Sequence, residues 1–373
     1  MCEIAIIDHV GKKAGMDCYD SSLMKGLQQR GCHTTVYSNF VGIDPQTLTY
    51  KICYEGHSKS NALVKLYRFI RATCIASYQA SKNKTDLVIL HLFSANAVTL
   101  LLVFIPKLFG LKTAVISHDV FSFVKNDSKI IKNIIYNTLS NNIIVHNCYS
   151  RETLINSVQI RNSRKVVIIK HGGYLNHIGH RPPKESVRCE IGLEKDAKYI
   201  LFFGQIKKVK GLDVLLDAMR QIPSDIKLII AGKPWKDDFS VYDELIEQYG
   251  LENRVIKMIR FIEDSEREKL FFAADVNVLP YRIIYSSAVL LMAMSHGIPI
   301  ITSDLAANEE IIKDGENGML FKSENADDLA LKINLFFQDQ SFSRTIADNA
   351  METIRSDYDW YTISKEYLKM IKD

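Results

Sequence analysis

Short runs rich in Val, Ile and Leu alternate with longer amphipathic stretches from one end of this chain to the other. Strands that are apolar on both faces, each followed by a helical stretch, build parallel sheets through βαβ crossovers. The pattern predicts strands at Ile4 to Asp8, Thr34 to Tyr37, Leu87 to His91, Thr113 to Ser117, Asn142 to Val145 and Val166 to Ile169. A second series follows at Tyr199 to Gly204, Lys227 to Ala231, Val255 to Met258, Val276 to Leu279, Ile298 to Thr302 and Met319 to Phe321. Between the two lies His177-Ile178-Gly179-His180-Arg181-Pro182-Pro183-Lys184, which has no periodicity and reads as a linker. At 373 residues the chain is too long for one ordinary domain. Two α/β domains with a boundary near residue 182 are expected.

Charge separates at the same place. Residues 1 to 182 hold 22 Lys and Arg against 10 Asp and Glu, net +12; the whole-chain totals of 47 and 43 leave 25 against 33, net −8, for the rest. A basic first domain suits anionic lipid, a pyrophosphate-bearing acceptor or nucleic acid, and equally a solvated surface. No recognisable nucleic-acid motif accompanies the charge. The seven cysteines are widely spaced without a C-x-x-C pair, so reduced thiols in a cytosolic protein are expected. The amino terminus enters a strand without the basic region of a signal peptide. The longest apolar run, Ala97 to Ile105, ends at Pro106 and Lys107 and is about half a bilayer span; a buried helix or strand pair is expected.

Two regions of the first domain carry candidate chemistry. After the first strand, Asp8-His9-Val10-Gly11-Lys12-Lys13-Ala14-Gly15 is a glycine-bearing loop that can aim backbone N–H groups at a phosphate, or simply connect. Its spacing is not G-x-G-x-x-G and no acidic residue ends the next strand, which argues against a nicotinamide cofactor. His91, His118, His146 and His171 each fall at or just past the carboxyl end of a predicted strand, where open α/β sheets bind ligands. Each alone suits a structural histidine; four at one edge suggest a lined cleft.

In the second domain the strand ending at Gly204 runs into Gln205-Ile206-Lys207-Lys208-Val209-Lys210-Gly211, whose lysines at a strand-to-helix turn suit a diphosphate. Leu279-Pro280-Tyr281 ends another strand, and Arg282 to Ala288 leads into an apolar helix. Ser287 is a candidate N-cap, with the N–H groups of Ser287 and Ala288 forming an anion site.

The order and spacing of Phe203-Gly204, Lys210-Gly211-Leu212-Asp213-Val214-Leu215-Leu216, Ala273-Ala274-Asp275-Val276, Leu279-Pro280, Ala293-Met294-Ser295-His296-Gly297-Ile298-Pro299, Glu310 and Asn317-Gly318-Met319-Leu320 resembles the nucleotide-sugar-binding domain of family 4 glycosyltransferases. The resemblance covers residues 199 to 373 strongly. It is carried more weakly in the first domain by His118-Asp119, Ile144 to Ser150 and Ile169-Lys170-His171-Gly172, which look like bacterial surface-polysaccharide members. It implies the GT-B architecture: two Rossmann-like α/β domains facing across a cleft, 1 to 182 binding acceptor and 183 to 353 binding donor, with helix 354 to 373 packing back on the first.

By the same resemblance the chain is a retaining transferase that needs no metal or cofactor. Its donor is a nucleotide-diphosphate sugar, a UDP-sugar ahead of a GDP-sugar, and its acceptor a lipid-linked or other glycan at the inner face of the cell membrane. His118, Lys210 and Lys207 form the catalytic set. Gly204, Gln205, Arg260, Phe261, Ile262, Arg282, Ser286, Ser287 and Ala288 form the donor site; Gly15, His91, Asp119, His146 and His171 line the acceptor side. The family's E-x7-E pair falls on Ile284 and Met292, and its usual arginine is Gln205. Arg282 and Lys207 are candidates to supply the missing polar contacts, and an inactive GT-B partner or scaffold is the alternative. Membrane binding through the basic domain is expected to be salt-sensitive; insertion of Phe121, Phe123 or Leu101 would make it resist salt.

Overall fold

The computed structural model describes residues 2–12, 15–54, 60–121, 127–235 and 238–372. Phe123, and Lys13 and Ala14 of the glycine loop, lie outside the described residues. The chain divides into two compact units, Met1–Gly172 with Tyr358–Asp373, and Gly173–Asp357.

The first unit runs β1 (Cys2–Ile7), α1 (Met16–Gln29), β2 (Cys32–Ser38), β3 (Thr49–Ile52), α2 (Ala62–Lys82), β4 (Leu87–Leu92), α3 (Ala97–Leu108), β5 (Thr113–Ser117), α4 (Lys129–Asn133), β6 (Asn142–Val145), α5 (Cys148–Val158) and β7 (Val166–Ile168). The second runs α6 (Lys184–Glu190), β8 (Lys198–Phe203), α7 (Leu212–Ala218), β9 (Ile226–Ala231), α8 (Ser240–Gln248), β10 (Val255–Met258), α9 (Asp264–Ala273), β11 (Val276–Leu279), α10 (Ala288–Ser295), β12 (Ile300–Ser303), α11 (Ala306–Glu309), β13 (Met319–Phe321), α12 (Ala326–Gln338) and α13 (Gln340–Asp357). The chain then returns to the first unit as α14 (Trp360–Lys372).

Both sheets are parallel, ordered β3-β2-β1-β4-β5-β6-β7 and β10-β9-β8-β11-β12-β13. The order therefore reverses between β1 and β4 in one unit and between β8 and β11 in the other. In open α/β sheets the crevice at such a switch point, outside the strands' carboxyl ends, is where ligands bind. Strand interiors such as Ile4, Ile6, Ile89, Ile116 and Ile144 form the first core with Leu23, Leu27 and Tyr367; Ile200, Phe202, Leu228, Ile230 and Val278 belong to the second.

Three expectations are corrected, and a fourth is narrowed to one of its two alternatives. The extra strand β3 is half exposed at the sheet's edge, so its TYKI sequence lacks the apolar run that marks interior strands. Of the helix or strand pair expected for the Ala97 run, the helix is found: α3 starts at an Asn96–Thr99 capping box and continues past Pro106 to Leu108. The division of the chain falls at Gly172, not near residue 182: the segment after it belongs to the second unit, Tyr174 N–H donating to Ser295 Oγ and, within the expected linker, Gly179 N–H donating to Glu268 Oε1. Cys2 and Cys32, in register on neighbouring strands with Cα atoms 4.7 Å apart, form a disulfide, whereas Cys18, Cys53, Cys74, Cys148 and Cys189 are free.

Candidate active site

At the switch point of the second unit, two loops flank the crevice. The lysine loop leaves β8 through Gly204 (φ 115°), whose carbonyl lies so close to Gly232 that a Cβ there would meet it at 1.8 Å. Lys207 and Lys210 bracket a short 3-10 turn that ends at Gly211 (φ 67°). A Cβ on Gly211 would meet the Pro280 carbonyl at 1.8 Å, so only glycine lets this loop press against the end of β11. The Lys210 ammonium sits 3.6 Å from the Tyr281 ring centroid and Lys207 4.9 Å from that of Trp235. Both lysines are half-buried and Gln205 is exposed.

Opposite, Ser287 is the N-cap of α10, its hydroxyl accepting from Leu290 N–H at 3.2 Å. That uses one of the orphan N–H groups of the first turn and leaves the dipole's positive end beside Ser286 and Ala288. Gly204 lies against this turn: its Cβ would contact Val289 at 3.5 Å. Ile284 and Met292 are both buried apolar side chains here, so no carboxylate occupies either place.

Arg282 does something the sequence did not indicate. Its guanidinium donates to both carboxylate oxygens of Asp213 at 2.8 and 2.7 Å, to Glu324 at 2.7 Å and to the Lys208 carbonyl at 2.8 Å. Its backbone N–H donates to Val209 O at 2.9 Å. Burial pushes the Asp213 carboxyl up, and the Arg282 hydrogen bonds and charge more than offset this, leaving it below the ordinary value. The planar fork is thus engaged with protein groups and clamps the lysine loop to the β11 loop. Arg260 is likewise paired, donating to Glu266, beside an exposed Phe261 and a buried Ile262 on the loop after β10.

In the first unit, α1, β4 and the ends of β5, β6 and β7 bring the four histidines together around Tyr19. Its ring lies 5.3, 5.7, 5.9 and 4.9 Å from those of His91, His118, His146 and His171, and 4.8 Å from Trp360. The Tyr19 hydroxyl meets that of Tyr367 at 2.6 Å. His91 Nε2 is 2.8 Å from Asp20 Oδ1 and its Nδ1 is 2.9 Å from His118 Nε2. His118 stacks on Phe93 with centroids 4.5 Å apart. His146 and His171 bond through Nδ1 to the Ile169 and Gly172 carbonyls at 2.9 and 2.8 Å.

Burial governs protonation here. It drives His118 well below its ordinary value, with His91, His146 and His171 adding to the effect. His146 falls to about 3, through burial and then His171, opposed by the Ile169 carbonyl; His171 falls to about 4, through burial, opposed by the Gly172 carbonyl. Burial also pushes the Asp20 carboxyl up to about 7, with His91 opposing and Asp8 and Asp17 assisting. For His91 burial works downward, but the Asp20 charge and hydrogen bond prevail and raise it.

Asp20 and Tyr19 were missed from sequence because both sit inside an amphipathic helix with no motif. Asp119 lies half-buried beside His118, its carbonyl 3.4 Å from Ser117 Oγ. Gly15 is the left-handed N-cap of α1 (φ 73°). The glycine loop does not offer all its N–H groups outward: Asp8 accepts from Val10 N at 2.8 Å and Gly11 N at 2.7 Å. No group of three or more His, Cys, Asp or Glu among the described residues is arranged to hold a metal.

An uncharacterized glycosyltransferase of Methanocaldococcus jannaschii is 32% identical over 191 residues, covering 51% of this chain and 48% of that protein. The lipopolysaccharide 1,2-N-acetylglucosaminetransferase of Salmonella typhimurium is 23% identical over 216 residues, 56% of each chain. The chain thus spans about half the length of the curated relatives it matches. The HepE protein of Anabaena, solved with UDP-glucose, superposes over 100% of both chains with a TM-score of 0.78 at 19% identity. The chain has the two-domain Rossmann-like GT-B fold, and its residues 183–353 match the family described as glycosyl transferases group 1.

Proposed function

We propose that this chain is a retaining, metal-independent glycosyltransferase that moves a sugar from a nucleotide-diphosphate donor, a UDP-sugar ahead of a GDP-sugar, to a lipid-linked glycan acceptor in surface-polysaccharide synthesis. The observation that carries the reading is the pairing of Lys207 and Lys210 with the capped start of α10, flanking the β8/β11 switch point of the domain that matches the family. Glycosyl transfer must stabilise an oxocarbenium-like sugar and a departing diphosphate. The two ammonium groups and the N–H groups of Ser287 and Ala288 supply positive potential for the second task. Arg282 holds the lysine loop in place, and Gly204 lets the backbone approach. The loop from Arg260 to Ile262 is assigned to the nucleotide base, and His118 to the transferred sugar. The leaving phosphate takes the acceptor's proton on the same face, so Ile284 and Met292 are compatible with turnover.

The acceptor assignment draws on the first unit's surface. Helices α2 and α3 hold Lys65, Arg68, Arg71, Lys82 and Lys107 and no acidic residue, and expose Leu63, Tyr67, Tyr78, Phe104 and Leu108. Such a mixed basic and apolar face suits the inner, anionic leaflet of a membrane. Among the described residues no helix is long and apolar enough to cross a membrane. Of the side chains considered for insertion, Leu101 is half-buried and Phe121 is exposed with the Lys132 ammonium 5.0 Å from its ring centroid. A thermal-shift screen of UDP, GDP and their sugars tests the donor class: a ligand that binds only the folded state raises the melting temperature. A rise with none of them would reject the reading.

A further inference from the structure

Asp20, His91 and His118 form a line of three titratable groups with contacts of 2.8 and 2.9 Å, and Asp20 and His91 are completely buried. His118 keeps 9% exposure, and its Nδ1 has no hydrogen bond among the described residues. We propose that Asp20 and His91 hold one proton between them and thereby fix His118 as the Nδ1–H tautomer, presenting a hydrogen-bond donor to a substrate oxygen.

Proton accounting gives this result. With the shared proton on Asp20, the acid donates to His91 Nε2, and neutral His91 carries its hydrogen on Nδ1. With the proton on Nε2, His91 is a cation beside a carboxylate and still carries hydrogen on Nδ1. In both cases Nδ1–H donates to His118 Nε2, which must be bare, so neutral His118 carries its hydrogen on the open Nδ1. If the shared proton is lost, Asp20 accepts from Nε2–H, His91 Nδ1 becomes an acceptor, and His118 must donate through Nε2. Its open nitrogen is then bare. One proton at the buried end therefore sets the polarity at the open end, since the bond made by one ring nitrogen decides the state of the other.

The surroundings favour keeping that proton. Asp20 Oδ2 is buried without a partner among the described residues, so a bare carboxylate would be poorly solvated. The other titratable groups facing the pair are Asp8, His9, Asp17, Tyr19, His146, His171 and Tyr367. The two acids oppose loss of the proton. Burial keeps His9, His146 and His171 neutral, so they do not expel it. Asp20 and His91 are thus positioning residues acting through His118, and their bearing on turnover rests on the proposed contact between His118 and the sugar.

Long-range proton–nitrogen correlation spectra of the full chain labelled with ¹⁵N-histidine read the tautomer directly and need no variant to fold. At about pH 6 the His118 pattern should show a protonated Nδ1 and a bare Nε2, reversing by about pH 9 as the shared proton leaves. A protonated Nε2 at the lower pH, or a pattern unchanged across the range, overturns the proposal. Hydrolysis of UDP-glucose by Asp20→Leu and by the conservative Asp20→Asn, whose amide can donate to His91 Nε2, tests the substrate half. The first should lose about 10- to 100-fold in kcat with KM little changed, and the second should regain most of it. The expected tautomer with unchanged turnover in Asp20→Leu would overturn the contact with the sugar while leaving the proton-sharing pair intact.

Discussion

At the residue scale, the lysine loop of the second unit and the histidine cluster of the first ask different things of their side chains. Lys207 and Lys210 hold their ammonium groups over the Trp235 and Tyr281 rings, a contact that orders them without neutralising their charge. His118 is a neutral ring whose orientation is fixed by stacking on Phe93 and by His91. His118→Ala should therefore lower turnover much more than it changes UDP affinity, measured by kinetics and calorimetry side by side; equal losses would make the residue structural. The histidines were legible in sequence because each ends a strand, but Asp20 was not, since a helical Asp in an amphipathic run reads as surface charge. Arg282 was expected to contact the donor, and its pairing with protein carboxylates was not legible: its partners Asp213 and Glu324 lie 69 and 42 residues away, and no local pattern links them.

At the element scale, the histidine cluster makes the first unit acid-sensitive. Burial lowers His146 to about 3 and His171 to about 4 in the folded chain, against an ordinary histidine value of about 6.5. Depressed histidines contribute stability above the unfolded value and lose it as pH falls toward the folded one, because only the unfolded chain takes up protons there. Between pH 6.5 and pH 5 each should cost up to about 2 kcal/mol. Trp360 fluorescence against denaturant in a Trp235→Phe background should show its midpoint falling over that interval; a flat profile would contradict the burial of these rings. The return of α14 onto α1 is equally specific: a Cβ on Gly26 would meet the Trp360 carbonyl at 2.4 Å and one on Gly172 would meet its ring at 2.2 Å. Gly26→Val should cost about 1 to 3 kcal/mol and shift Trp360 emission to the red, whereas unchanged emission would mean that α14 does not seat there. Interior strands such as β4 and β5 were read correctly because both faces are apolar; β3 escaped because an edge strand needs no such run.

At the scale of the whole molecule, the charge split of +12 for residues 1 to 182 against −8 for the rest sets a basic first domain, proposed above to meet anionic lipid, against an acidic second domain, proposed to bind the donor through a few positive groups. Sedimentation with anionic vesicles should show binding that weakens as salt rises, by up to about 1 kcal/mol for each basic residue at the surface. The double variant Lys65→Glu, Arg68→Glu should bind more weakly still. Indifference to both salt and charge reversal would discard the membrane surface and leave the transferase reading standing. The central claim is that the lysine loop receives the donor's diphosphate, and calorimetric titration of UDP into the wild type and into Lys210→Ala tests it most directly. The account predicts saturable binding that weakens by about 2 to 3 kcal/mol in the variant, the range for losing a charge-assisted contact to a buried anion. Equal affinity in the two proteins, both folded, would contradict it.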